Sequence, residues 1–400
     1  MMTFKKYAIF YIFVNCIIIK MSNLENISFI IGEAGTAKTT KLMNIAHELH
    51  SKGISFMCVA FTHSAVNNMY QTYCKLFGSD IERKCFRTIH SYFRIVPDNV
   101  IQTFNMKRVD PEFILIDEFS LIPLDIIDLI FRSSKKKLIL AGDLLQLNPI
   151  SDIKKMSLDL FSEIYESCDL YSGLLVANHL SNNIYSTPEY RNCSKVLLTQ
   201  NFRSGSHVIN ILSDILDGKE FEILHYKDES LRDYVQKNNP TFIASQYKYL
   251  STLYKEFTDP TQFSDSLNTK LGQTFYNPDK KFVLTKNISK TVFNGDIVQI
   301  TSPGVFHRGD EKIQIDPEDG EYPILPTDYI SIHKSQGRSY DHIVVVLDQL
   351  FEITMLYTAI TRARLDVKFV LINYDLDKFK QNLHKTINAF NLLKKIIYSK

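Results

Sequence analysis

Four hundred residues exceed what one small core organises, so the chain should divide into two or more domains. Apolar content of 45% and charged content of 22% are ordinary for a folded soluble chain, and a net charge of +2 excludes a general electrostatic pull toward nucleic acid, leaving only a local groove for such a partner. The six cysteines (Cys16, Cys58, Cys74, Cys85, Cys168, Cys193) form no CxxC pair and have no histidines at zinc spacing, so they read as free thiols of a reducing compartment.

Residues 1–20 join a basic start, Lys5-Lys6, to about 13 mostly apolar residues from Tyr7, short for a membrane span. They read either as a signal-like segment or, in the favoured reading, as an extension ahead of a true start at Met21.

The first informative stretch is Ile27-Ser28-Phe29-Ile30-Ile31, a buried strand, running into Gly32-Glu33-Ala34-Gly35-Thr36-Ala37-Lys38-Thr39-Thr40. A glycine-bearing turn between strand and helix presents inward backbone N–H groups that cradle phosphate oxygens. Lys38 would reach the β- and γ-phosphates, and the Thr39 hydroxyl would ligate Mg²⁺. Ala37 stands where this pattern wants glycine. Its Cβ is harmless at negative φ and costs on the order of 1 kcal/mol or more at positive φ. A helix follows from about Thr39 to His50.

Strand-like and amphipathic helical runs then alternate, as expected of α/β architecture with mainly parallel sheets. Ser55–Phe61 is a strand ending in the polar turn Thr62-His63-Ser64, and Arg87-Thr88-Ile89-His90-Ser91 is a similar polar end; by themselves both read as helix caps. Phe113–Ile116 ends abruptly in Asp117-Glu118. Adjacent carboxylates suit a buried strand only at the carboxyl edge of a sheet, where Asp117 would hold Mg²⁺ with Thr39 and Glu118 would act as general base on water. Lys137–Asp143 is another strand, and Gln146 just beyond it can place an amide on a γ-phosphate.

The segment Gly142-Asp143-Leu144-Leu145-Gln146-Leu147-Asn148-Pro149 resembles the third motif of superfamily 1 helicases, in the branch that includes RecD, Dda and the PIF helicases. The P-loop, the Thr62-His63 and Thr88–His90 segments and Asp117-Glu118 then resemble motifs I, Ia, Ib and II. Ser157–Cys168 reads as an amphipathic helix, and Asn178–Ser194, polar and carrying Pro188, as a surface loop or insertion. Val196–Ser204 resembles motif IV, whose arginine is Arg203. A helix from about His207 to Leu216 and a strand at Thr241–Ala244 follow, with 259–280 read as a polar loop. Phe282–Asn287 and Val292–Ile300 are two strands around an Asn-Gly turn. The resemblance places a small β insertion, short for an SH3-like barrel, at about 296–326.

Tyr329-Ile330-Ser331-Ile332-His333-Lys334-Ser335-Gln336-Gly337 resembles motif V, followed by a strand at Ile343–Leu347. Leu356–Arg364 resembles motif VI. After Asp375 a lysine-rich helix runs to Lys400 and reads as solvated.

The resemblance covers about residues 27–372. It implies two tandem RecA-like P-loop domains, about 22–195 and 196–375, with 376–400 a basic terminal helix. ATP would lie in the cleft between them, with single-stranded nucleic acid across both. It further implies Arg203 and Arg362 on the γ-phosphate, and Gln336 and Gly337 beside the nucleotide. Thr62, His63, Thr88, His90, His333 and Ser335 would lie on the strand. Movement would be 5′ to 3′ on DNA, inside the cell (cytoplasm or nucleus), in replication or repair with partners yet to be named. RNA as substrate, and a nucleotide-binding scaffold without hydrolysis, are the alternatives. The family's glutamine ahead of the P-loop, which reads adenine, has no counterpart here, so adenine selectivity is not implied. The short build and richness in Ile, Asn and Lys fit a viral gene.

Overall fold

The computed structural model describes residues 26–95, 111–133, 136–149, 170–289, 292, 294–348, 352–372 and 375–398. These fall into two compact units. The first runs to Leu144 and resumes over Asn148–Phe202; the second takes Leu145–Leu147 and the chain from Arg203 onward.

The first unit is built on six strands: β1 (Ile27–Gly32), β2 (Phe56–Ala60), β3 (Phe86–Thr88), β4 (Phe113–Asp117), β5 (Lys137–Gly142) and β6 (Ser194–Leu198). Every pair is parallel, in the order β3-β2-β4-β5-β1-β6. Covered on both faces, β1, β4 and β5 are apolar almost without interruption, as parallel strands must be. The helices Lys38–Ser51 and His63–Phe77 supply Leu42, Met43, Ala46, Leu49, Val66, Met69 and Tyr73 to one core with Cys58 and Leu115. Because β1 lies between β5 and β6 while the chain continues to distant β2, its carboxyl end sits at a topological switch, the place where open α/β sheets bind ligands.

The helix read at Ser157–Cys168 lies outside the described residues, and one expectation changes. Asn178–Ser194 is not a surface loop: a helix spans Leu170–Ser181, a second Pro188–Asn192, and β6 begins at Ser194. Pro188 starts a helix at its first position, with the Thr187 hydroxyl accepting from Tyr190 N at 3.2 Å. The Tyr190 ring packs 5.1 Å from Phe29 in the interior. Since β6 pairs with β1, the first unit extends to Phe202.

The second unit holds β7 (Leu224–His225), β8 (Thr241–Ala244), β16 (Tyr329–Ser331), β17 (Tyr340–Leu347) and β18 (Ala363–Leu371), parallel throughout in the order β16-β8-β17-β18-β7. Helices Glu229–Asn238 and Tyr247–Phe257 pack Leu231, Leu250, Leu253 and Tyr254 against Phe242, Val344 and Val346. The terminal helix Leu376–Tyr398 is not simply solvated. It buries Phe379, Leu383, Phe390 and Leu393, and Phe390 meets Tyr357 at 5.2 Å.

Between β8 and β16 lies an antiparallel β body. It comprises the hairpin β9 (Asp265–Thr269) and β10 (Gly272–Tyr276), and a sheet ordered β14-β13-β12-β11-β15. The sheet strands are β11 (Lys281–Leu284), β12 (Ile297–Ser302), β13 (Val305–Arg308), β14 (Glu311–Gln314) and β15 (Ile324–Pro326). One core joins Leu267 and Tyr276 of the hairpin to Phe282, Val298, Phe306 and Ile324. The polar loop expected over 259–280 is therefore largely a hairpin. Its inward positions include Thr269 and Thr274, buried but mutually hydrogen-bonded at 2.7 Å, which satisfies the hydroxyls and disguises the strand as loop.

Candidate active site

Gly32 closes β1 and must be glycine: a Cβ there would collide with Thr36 Oγ1 and lie 2.7 Å from the Leu198 carbonyl of β6. Gly35 follows at φ 82, and Thr36 Oγ1 donates to Glu33 O at 2.7 Å to tighten the turn. Ala37 is left-handed (φ 61, ψ 33), the strained alternative for a residue with a Cβ. Lys41 N bonds Ala37 O at 2.9 Å, so the helix begins there.

Lys38 is buried, and its Nζ donates to Gly32 O and Glu33 O, both at 2.8 Å. The ammonium is thus held across the mouth of the loop by carbonyl dipoles that a phosphate can outcompete. Thr39 Oγ1 donates to Asp117 Oδ2 at 2.7 Å. Asp117 is fully buried; burial first, then the neighbouring Glu118, pushes its carboxyl up to about 7 against the opposing pull of Thr39 and Lys38. Glu118 is also left-handed (φ 53), and its Oε2 is buried without a partner among the described residues. A hydroxyl and a carboxylate in contact, beside an orphaned carboxylate oxygen, are the hard oxygen donors that magnesium takes along with waters and phosphate.

A residue that the sequence did not single out joins this group. Phe202 N donates to Gly35 O at 2.8 Å and Asn201 Nδ2 to Ala34 O at 3.1 Å, which ties the segment after β6 to the P-loop. The Phe202 ring is 63% exposed, a free aromatic face beside a phosphate cradle. Only its place beside Arg203 could have flagged it.

In the second unit Arg203 and Arg362 meet at one residue. Arg203 Nη1 donates to Thr361 O at 3.3 Å, and Arg362 donates through Nε to Thr358 O at 3.0 Å and through Nη2 to Thr361 Oγ1 at 3.3 Å. Arg362 is completely buried, not on a solvated helix face, and its Nη1 has no partner among the described residues. Gln146 is buried in the Leu145–Leu147 segment that groups with this unit, where Leu147 N donates to Thr358 Oγ1 at 3.2 Å. Gln336 is buried with both amide atoms unpartnered among the described residues, and Gly337 follows at φ 75.

The residues expected on the strand divide. Thr62 and Thr88 cap helices, accepting from Ala65 N at 3.1 Å and Ser91 N at 3.2 Å. His63 opens the helix after β2 and is half-buried. His90 sits with its ring 5.2 Å from Phe61, and burial holds its imidazole below the usual histidine value. His333 is half-buried with its pKa likewise lowered by burial, whereas the Ser335 hydroxyl is fully buried on Ile332 O at 2.6 Å.

Two parallel α/β units, one with a lysine-bearing glycine loop facing paired carboxylates and the other with converging arginines, define a P-loop protein of tandem RecA-like build. The family model of an AAA domain matches residues 16–152, and that of a UvrD-like helicase C-terminal domain matches residues 328–370. The chain is 23% identical over 465 residues to the RecBCD enzyme subunit RecD of Buchnera aphidicola subsp. Acyrthosiphon pisum (strain APS), a likeness spanning 93% of this chain and 74% of that one. The fold matches a structure of two coordinating Pif1 helicases at forked dsDNA (TM-score 0.58, 21% identity, 96% of this chain and 97% of that one). It also matches a Bacteroides Pif1 helicase in complex with ADP-AlF3 and ssDNA (TM-score 0.55, 20% identity, 92% and 93%). These likenesses bear out the resemblance to superfamily 1 helicases of the RecD, Dda and PIF branch.

Proposed function

We propose that the chain is an ATP-dependent DNA helicase that moves 5′ to 3′ along single-stranded DNA. The observation that carries this reading is the Lys38–Thr39–Asp117–Glu118 group of the first unit, complete in every charged position, together with the Arg203–Thr361–Arg362 cluster of the second. The P-loop N–H groups bind the phosphates, and Lys38 leaves the Gly32 and Glu33 carbonyls for a phosphate oxygen. Magnesium, when held by Thr39 and Asp117, offsets phosphate charge. Glu118 orients the attacking water and takes its proton at the free Oε2. Arg203 and Arg362 stabilise the charge that develops on the transferred group, and Gln146 senses it. Loss of that charge on hydrolysis weakens the arginines' hold, so grip on the strand by His63, His90 and His333 alternates with the nucleotide state. The exposed Phe202 ring stacks on the base, a contact indifferent to base identity, in keeping with the missing adenine-reading glutamine.

Unwinding assays with 5′- and 3′-tailed duplexes of DNA and of RNA test polarity and sugar together. Strand separation only from the 5′-tailed DNA is expected. Unwinding of RNA alone moves the reading to an RNA helicase, and nucleotide binding without any hydrolysis reduces it to a scaffold.

A further inference from the structure

The β9–β10 hairpin turn carries Lys270, exposed, with its Nζ 5.6 Å from the centre of the Tyr247 ring. The Tyr247 hydroxyl is hydrogen-bonded to Ser331, the residue that opens the short helix Ile332–Ser335. On that helix Lys334 is half-buried, and its Nζ donates to Asn294 Oδ1 at 3.5 Å. Arg338 reaches the same Asn-Gly turn, with Nη2 donating to Gly295 O at 3.2 Å, and its Nε is buried without a partner among the described residues. Lys334 and Arg338 therefore converge on one turn, Lys270 comes from a segment distant in sequence to lie near enough that its charge is felt at Lys334, and among the described residues none of the three is ion-paired. The acid next to the turn, Asp296, is bound instead by Arg308 at 2.6 Å. The crowding has a measurable consequence: burial, then repulsion from Lys270 and Arg338, lowers the Lys334 amine to about 8. Like charges held this close without an acid are unfavourable until an anion arrives.

We propose that Lys270, Lys334 and Arg338 form a phosphate clamp on the single-stranded nucleic acid, with the hairpin turn supplying its outer arm; this rests on the helicase reading above. The cations lie within and beside the stretch that carries His333, and a phosphodiester repeat supplies the anion. Ammonium and guanidinium groups around a backbone phosphate read no sequence, so the clamp grips any base.

The test is fluorescence anisotropy of the full chain with thymidine and adenosine oligodeoxynucleotides across a salt series. Lys270→Ala, an exposed turn position whose fold is checked by its melting curve, should weaken binding about fivefold at 0.1 M salt and flatten the salt slope by about 0.7, the single-strand value for one lost phosphate contact. The loss should be equal on the two strands, and Lys270→Arg should restore it. Unchanged affinity and slope in Lys270→Ala overturn the clamp and leave the helicase reading standing. A loss confined to one base also overturns it, since that marks base readout. If the unaltered chain binds no single strand, both fall together.

Discussion

Lys38 stands between two sets of acceptors, the loop carbonyls it bonds at 2.8 Å and the phosphates proposed to replace them. Lys38→Ala should therefore abolish strand-stimulated ATP hydrolysis. Glu118→Gln should retain ATP binding while losing on the order of 10²–10⁴-fold in turnover, as measured by phosphate release beside nucleotide titration. A hydrolysis rate indifferent to Lys38 would sink the enzyme reading. Asp117 makes a second prediction. Its folded value of about 7 lies above the usual 3.8, so the nucleotide-free fold binds this proton more tightly than the unfolded chain does. The stability it contributes is full below about pH 4 and is lost as pH rises through about 7. Melting of the magnesium-free protein should fall across that window, and Asp117→Asn should flatten the profile; parallel profiles would count against it. At this scale the buried placement of Asp117 and Glu118 at a strand end was legible, because a buried strand has little other use for adjacent carboxylates. Phe202 was not, since exposure is a property of the fold. Ser335 could not be read either: whether a serine hydroxyl faces a ligand or a carbonyl is decided by helix geometry.

The P-loop was legible as an element from the spacing of Gly32, Lys38 and Thr39, but the sign of φ at Ala37 is a property of the folded loop that spacing does not fix. A left-handed alanine costs about 1–2 kcal/mol, and glycine gives back about 0.5–1 kcal/mol of that through unfolded-state entropy. Ala37→Gly should thus stabilise the first unit by about 0.5–1 kcal/mol in urea titration, with the loop geometry for phosphate unchanged. Gly32→Ala should do the opposite, because the added Cβ meets backbone at Leu198 and Thr36 in a turn with nowhere to retreat. The elements that escaped the sequence reading share a cause. The β9–β10 hairpin carries a buried threonine pair where an alternating strand would show apolar residues. The helix Pro188–Asn192 hides behind a proline that marks helix starts as readily as loops.

At the scale of the molecule, alternation of apolar runs was enough to foresee two parallel α/β units, because crossover helices force each strand to be buried on both faces. The β body was underestimated, since its seven strands are short and gather residues from Asp265 to Pro326 around one core. The terminal helix was misjudged because its lysines dominate its composition while its apolar stripe does the packing. Phe390→Ala should accordingly destabilise the second unit by about 3–5 kcal/mol, seen as an earlier transition in urea unfolding. Substitution of the exposed Lys395 should shift that transition by no more than about 0.5 kcal/mol.

Ala37 and Glu118 hold the same left-handed backbone, yet relieving it has different consequences at the two. At Ala37 a more comfortable glycine removes no side-chain group that the proposed chemistry uses. At Glu118 comfort and chemistry are opposed: Glu118→Gly relieves the backbone and removes an unpartnered buried oxygen, so it should melt higher than the native chain and turn over nothing. A screen of this protein for thermal stability alone would enrich both changes, and only one of the survivors would still be an enzyme.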